Sequence, residues 1–146
     1  MNIMETESRT PELLARLLEV WEASVRATHL FLSPVEIKNI KAYVPQALKE
    51  VPHLVIAEEE RGFPVGFMGA GGRRLEMLFL SPEARGKGLG RRLLQYGIDR
   101  YGVNELAVNG QNPQARGFYE RMGFRVFRRT ATDEQGGPYP LLHMKL

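Results

Sequence analysis

The 146-residue chain contains no cysteine, which removes disulfides, thiolate-ligated zinc and cysteine nucleophiles together. It has no apolar run near the ~18 to 20 residues that a membrane span requires. Its opening residues, Met1-Asn2-Ile3-Met4-Glu5-Thr6-Glu7, are acidic where a secretory leader is basic and then apolar. On these grounds neither a membrane span nor a secretory leader is expected, and a cytoplasmic compartment is. Glycine is absent before Gly62, so all fifteen glycines fall in the remainder of the chain. Acidic residues are scarce in the second half: residues 73–146 carry 13 basic and 7 acidic side chains, a net +6, against −3 for residues 1–72. An anionic partner is therefore expected to meet the second half. The length suits one domain with a buried core, and 43% hydrophobic with 25% charged residues describes a globular chain.

Thr10-Pro11 predicts a helix start, with Leu13, Leu14, Leu17, Leu18, Trp21 and Val25 on one face, ending near Thr28-His29. Ser33-Pro34-Val35-Glu36 reads as a capping box, followed by an apolar stripe of Ile37, Ile40, Val44, Leu48 and Val51 taken as one second helix. Strands are predicted over residues 2–6, 54–58, 64–69, 75–80, 104–108, 124–130 and 139–146, with helices after Gly88 and Asn112. The order is β-α-α-β-β-β-α-β-α-β-β, an α/β fold with a mixed sheet, read as a single domain over 1–146.

The segment Arg85-Gly86-Lys87-Gly88-Leu89-Gly90-Arg91-Arg92 lies between an apolar strand and an amphipathic helix. Glycines opening a helix suit phosphate, because bare N–H groups converge there at the positive end of the helix dipole. The spacing satisfies neither G-x-x-x-x-G-K-[ST] nor G-x-G-x-x-G, which excludes the two common nucleotide-binding loops. The alternative is a solvated surface turn, disfavoured by three alternate glycines and four basic residues in eight.

Arg85-x-x-Gly88-x-Gly90, after Leu78-Phe79-Leu80-Ser81-Pro82, resembles the acyl-CoA loop of the GNAT superfamily of N-acetyltransferases. Asn112-Pro113-Gln114-Ala115-Arg116-Gly117-Phe118-Tyr119-Glu120-Arg121-Met122-Gly123-Phe124 resembles its second signature, N-x-x-A-x-x-x-Y-x-x-x-G-F. The two cover roughly residues 74–127. The phrases around Trp21 to Leu32 and Pro138 to Met144 resemble the small bacterial YjaB-like branch. The resemblance implies a GNAT-like fold, its mostly antiparallel sheet splayed between the fourth and fifth strands. It also implies acetyl-CoA as cosubstrate: pyrophosphate on the backbone from Gly86 through Lys87, Gly88, Leu89 and Gly90 to Arg91, pantetheine along Leu78, Phe79 and Leu80, with Lys87, Arg91 and Arg92 attracting the 3′-phosphate. Arg85, Asn112 and Tyr119 belong to the same implied cofactor site. A small-molecule anion then accounts for the basic half without nucleic acid.

Within the signature, Tyr119 is implied as the proton donor to the departing thiolate; by spacing alone it is a core tyrosine beside Ala115, Phe118 and Met122. Glu76 is the only charge between Leu75 and Leu80, and strand alternation puts it on the face of Leu78 and Leu80. It is either the base that deprotonates the acceptor amine or a glutamate paired with Arg74 or Arg125. His29, in the link between the first helices, either serves the acceptor or caps a helix. Family architecture implies an acceptor wall of Thr28, His29, Phe31 and Tyr139-Pro140-Leu141. No metal is expected, since His29, His53 and His143 have no ligand spacing. Direct transfer of acetyl to a primary amine in a ternary complex is expected, by a monomer or homodimer with no membrane partner; the alternative is a non-catalytic acyl-CoA-binding sensor.

Overall fold

A computed structural model describes the whole chain, Met1 to Leu146. Strand β1 (Asn2–Glu5) precedes helix α1 (Pro11–Thr28). The Thr10 side chain accepts from Leu13 N–H at 3.2 Å, Pro11 presets the first turn, and Leu14, Leu17, Val20, Trp21 and Val25 are buried.

The stripe expected to form one second helix divides into α2 (Pro34–Lys41) and α3 (Val44–Glu50). Pro45 is the physical reason: it has no N–H to donate and its ring excludes the carbonyl four residues back, at Lys41. The chain turns tightly, Tyr43 N–H bonding Ile40 O at 2.9 Å, and restarts with Pro45 in the tolerated first turn. The stripe survives the break, because Ile37, Val44, Leu48 and Val51 all remain buried. The capping box is present as expected: Ser33 Oγ accepts from Glu36 N–H, and Glu36 accepts from Ser33 N–H.

Strands β2 (His53–Glu58), β3 (Pro64–Gly71) and β4 (Arg74–Leu80) form an antiparallel meander. A short 3₁₀ turn (Pro82–Ala84) and α4 (Leu89–Tyr101) lead to β5 (Glu105–Asn109), α5 (Pro113–Arg121), β6 (Arg125–Thr130) and β7 (Leu141–Lys145). The last strand begins two residues later than expected because Pro138 and Pro140 cannot donate to a ladder. The seven strands lie in the order β1-β2-β3-β4-β5-β7-β6. Helices α1 to α3 cover one face over Leu54, Ile56 and Phe67; α4 and α5 cover the other over Val55, Met68, Leu106 and Met144. No helix is long and apolar enough to cross a membrane.

Every strand pairing is antiparallel except β4 with β5. Those two pair only at Arg74–Glu105 and Leu75–Leu106, then separate, so the sheet splits toward the carboxyl ends of both strands. A parallel pair opening at its carboxyl ends is where open α/β sheets hold ligands. The split also explains why the apolar run Met77–Leu80 is only half-buried: these residues border a cleft.

Candidate active site

One cavity of about 680 Å³ occupies the split, within the range of small-molecule sites. Its walls come from the carboxyl halves of β4 and β5, the loop before α4, the start of α5 and the end of α1.

At one end lies the glycine loop. Gly86 and Gly88 have φ of +73° and +78°, a region L side chains avoid, and a Cβ on either would meet nothing within 4 Å. The turn thus needs glycine for its backbone and faces open space. Gly88 is the N-cap of α4 without a side-chain cap, and the first intrahelical bond runs from Arg92 N–H to Gly88 O. The N–H groups of Leu89, Gly90 and Arg91 are left as free donors at the positive end of the helix. Gly90 serves packing instead: its Cβ position is 3.4 Å from Leu80 and 3.6 Å from Phe118. Fixed donors, an open face and a basic rim fit a pyrophosphate; Arg85 and Arg91 line the cavity, whereas Lys87 is exposed outside it.

The strand side departs from simple alternation. Gly69 pairs with Met77 and Ala70 with Leu75, so β4 has a bulge that leaves Glu76 without a partner. Leu75 consequently packs into the α4-side core with Leu78 and Leu80, although it lies three residues before Leu78. The alternation that put Glu76 on the face of Leu78 and Leu80 is broken at that residue. Its carboxylate borders the cavity, 40% exposed, 3.6 Å from Arg74 Nε. Burial raises its pKa above the ordinary carboxyl value, against the lowering pull of Arg74.

On the opposite wall, Tyr119 is buried. Burial alone pushes its pKa up, which holds the phenol neutral. Asn112 caps α5, its Oδ1 accepting from Ala115 N–H at 3.2 Å while the residue lines the cavity. At the end of α1, Thr28 donates to Ser24 O at 2.8 Å, and its oxygen lies 2.8 Å from His29 Nδ1. The single hydroxyl proton is spent on Ser24, so Nδ1 is the donor and Nε2 the acceptor. Burial, then the nearby Arg85 guanidinium, lowers the His29 pKa.

Of the residues singled out in the sequence, Thr28, His29, Glu76, Leu78, Phe79, Leu80, Arg85, Gly86, Gly88, Leu89, Gly90, Arg91, Asn112 and Tyr119 line this one cavity. Phe31, Lys87, Arg92, Tyr139, Pro140 and Leu141 do not; the Arg92 guanidinium instead donates to Met1 O. The Phe31 ring sits beside His29 at 5.5 Å between centroids, and the Tyr139 hydroxyl donates to Glu36 at the start of α2. Sequence reasoning missed Asn109, Gln114 and Arg121 in the wall; Asn109 had a usable signal, a polar residue at the carboxyl end of a cleft strand.

A family profile described as an acetyltransferase (GNAT) domain matches residues 26–146. The chain belongs to the GNAT acetyltransferase family. It is an acetyl-CoA-dependent N-acetyltransferase, as the two signatures implied. It is 41% identical over 128 residues to the peptidyl-lysine N-acetyltransferase YjaB of Escherichia coli, covering 88% of this chain and 86% of that protein. The solution structure of apo YjaB from the same organism superposes with a TM-score of 0.87 at 40% identity, covering 99% and 97% of the two chains. The PaiA N-acetyltransferase of Thermoplasma acidophilum, solved with coenzyme A, shares the fold at a TM-score of 0.70 and 23% identity over the full length of both.

This acetyltransferase carries two histidines whose pKa burial lowers, His29 and His143. The unfolded chain binds protons at these imidazoles more readily than the folded one, so their contribution is complete above the ordinary value of about 6.5 and is lost as pH falls through the lower folded values. Tm should decline between pH 7.5 and 5.5, and His143→Gln should flatten the slope. A His143→Gln slope equal to the parent's would remove His143 from this account.

Proposed function

We propose that the chain acetylates the ε-amine of lysine in a peptide or protein, by direct transfer from acetyl-CoA within a ternary complex. The observation carrying this reading is that free N–H donors at the start of α4, the Glu76 carboxylate, the His29 imidazole and the Tyr119 phenol all border one cavity. The similarity to a peptidyl-lysine N-acetyltransferase supports the acceptor class.

Leu89, Gly90 and Arg91 N–H groups hold the pyrophosphate, and the free edge of β4 from Leu78 to Leu80 runs beside the pantetheine arm. A lysine ammonium of pKa ~10.4 is almost wholly protonated at neutral pH and cannot attack a carbonyl. Glu76 accepts its proton, helped by the burial that raises the basicity of the carboxylate. The amine adds to the thioester carbonyl; as the C–S bond breaks, nitrogen loses its second proton and sulfur gains one. Tyr119 donates the hydrogen bond that stabilises the departing thiolate. Its raised pKa makes complete transfer to a thiolate of conjugate-acid pKa ~8.5 uphill, so the main benefit is charge stabilisation at sulfur. His29 borders the acceptor side with its Nε2 free to accept.

Thiol release should be followed with acetyl-CoA and three acceptor sets: peptides with internal lysine, peptides with only an α-amine, and small aliphatic amines. Internal-lysine peptides are expected to turn over fastest, with mass spectrometry placing the acetyl group on Nε. Turnover of small amines alone would overturn the acceptor class while leaving the cavity assignment intact.

A further inference from the structure

Arg74 opens β4 and lies two residues from Glu76. Its Nη2 bonds Glu134 of the segment joining β6 to β7, while its Nε is a buried donor with no hydrogen-bond partner. The nearest carboxylate oxygen of Glu76 is 3.6 Å away from that Nε, an ion pair beyond hydrogen-bond reach. One guanidinium is thus shared unequally between two carboxylates, satisfied on the loop side and unsatisfied on the active-site side. A buried unpaired N–H is an energetic deficit, and a small movement of Arg74 toward Glu76 would relieve it. The Glu134 contact opposes that movement.

We infer that Arg74 is a positioning residue held off Glu76 by Glu134, so that docking of the β6–β7 segment keeps the Glu76 carboxylate free to take the acceptor's proton. The inference rests on the proposed role of Glu76 as base. The same segment is also fastened by Tyr139 to Glu36 of α2, so its position is set at two points, by Arg74 of β4 and by α2. When Glu134 releases Arg74, the guanidinium closes on Glu76 as a charge-assisted hydrogen bond, and the carboxylate becomes a weaker base. The other ionisable groups around Arg74 are Glu105, its partner across β5, and His143 and Arg128, which sense the same cluster from β7 and β6. Burial of His143 favours its neutral form, which leaves Glu134 as the charge that balances Arg74 on the loop side.

The test is the pH dependence of kcat/KM for a lysine peptide. Glu134→Gln should move the acid limb to lower pH by about 1 unit, the lower end of what an opposite charge imposes on a carboxylate, and should lower the plateau. Arg74→Gln should move the limb to higher pH by a similar amount. Because Glu134 also repels Glu76 directly, the double variant decides the route: in the Arg74→Gln background, Glu134→Gln should lose most of its effect. Glu134→Asp should recover part of the parent profile, and acetyl-CoA-dependent Tm shifts should confirm that each variant is folded. A Glu134→Gln profile that superimposes on the parent, or a shift undiminished in the Arg74→Gln background, would overturn the inference. Glu76→Gln separates this from the underlying reading: loss of the acid limb supports Glu76 as base, whereas its persistence overturns that assignment and the Arg74 coupling with it.

Discussion

Tyr119→Phe is expected to reduce turnover about 10²-fold, with acetyl-CoA affinity nearly unchanged. General acids contribute ~10²- to 10⁴-fold and single oxyanion donors ~10²- to 10³-fold. The lower end applies because burial has raised the phenol's pKa and disfavours complete proton transfer. Tyr119 packs edge-on against Phe118 and Phe124 with ring centroids at 5.1 and 6.1 Å, and phenylalanine preserves both contacts. Stability should therefore change little, which isolates the chemical effect. A thioester with a more acidic thiol should narrow the gap between Tyr119→Phe and the parent, because a better leaving group needs less help. Equal turnover of variant and parent on acetyl-CoA would return Tyr119 to a purely structural role.

Gly88→Glu is expected to abolish acetyl-CoA binding while the chain still folds. The left-handed backbone at Gly88 costs an L residue roughly 1–2 kcal/mol. A carboxylate at the start of α4 recovers part of that through the helix dipole, about 0.3–1 kcal/mol. The same carboxylate would occupy the place of the pyrophosphate, and like charges in contact cost several kcal/mol, on the order of 10²-fold or more in affinity. Thermal shift provides the measurement. Acetyl-CoA at 100 times its Kd stabilises the folded parent by about 2.7 kcal/mol, and a variant weakened about 10²-fold or more should keep at most about 0.4 kcal/mol at the same concentration, a shift near zero. Gly88→Ala carries the backbone penalty without the charge and should retain a reduced shift. A Gly88→Glu protein with the parent's shift would mean that the phosphates lie elsewhere.

The glycine loop proposed to hold the phosphates was the most legible part of the site, for a local reason: a backbone that turns through positive φ and faces open space must be glycine, and the need shows in the letters at 86 and 88. Helix starts were equally legible, since Thr10-Pro11 and Ser33-Pro34 each combine a side-chain acceptor with a preset φ. Pro45 marked a break just as clearly, but the unbroken stripe from Ile37 to Val51 masked it; the fold keeps the stripe and bends the backbone. The bulge at Glu76 had no such mark within β4, where no glycine or proline accompanies it; its cause lies in the pairing with β3, where Gly69 and Ala70 flank the shift in register. Tyr139 was out of reach for a related reason: its position depends on Glu36, about a hundred residues earlier. Pairings of that range determine which side chains line the cavity and which fasten the frame around it.

The position of β7 between β5 and β6 has a consequence for biosynthesis. Its residues Leu142 and Met144 are buried in the core that also holds Leu106 of β5 and Tyr119 of α5. A nascent chain that has emerged from the ribosome only as far as β6 already contains the glycine loop and both signature motifs. It still lacks the strand that joins β5 to β6 and supports the wall carrying Tyr119. Domains fold as units during synthesis, so the acetyltransferase cleft should remain unformed, and the nascent chain inert toward acetyl-CoA, until residues 141–145 clear the exit tunnel.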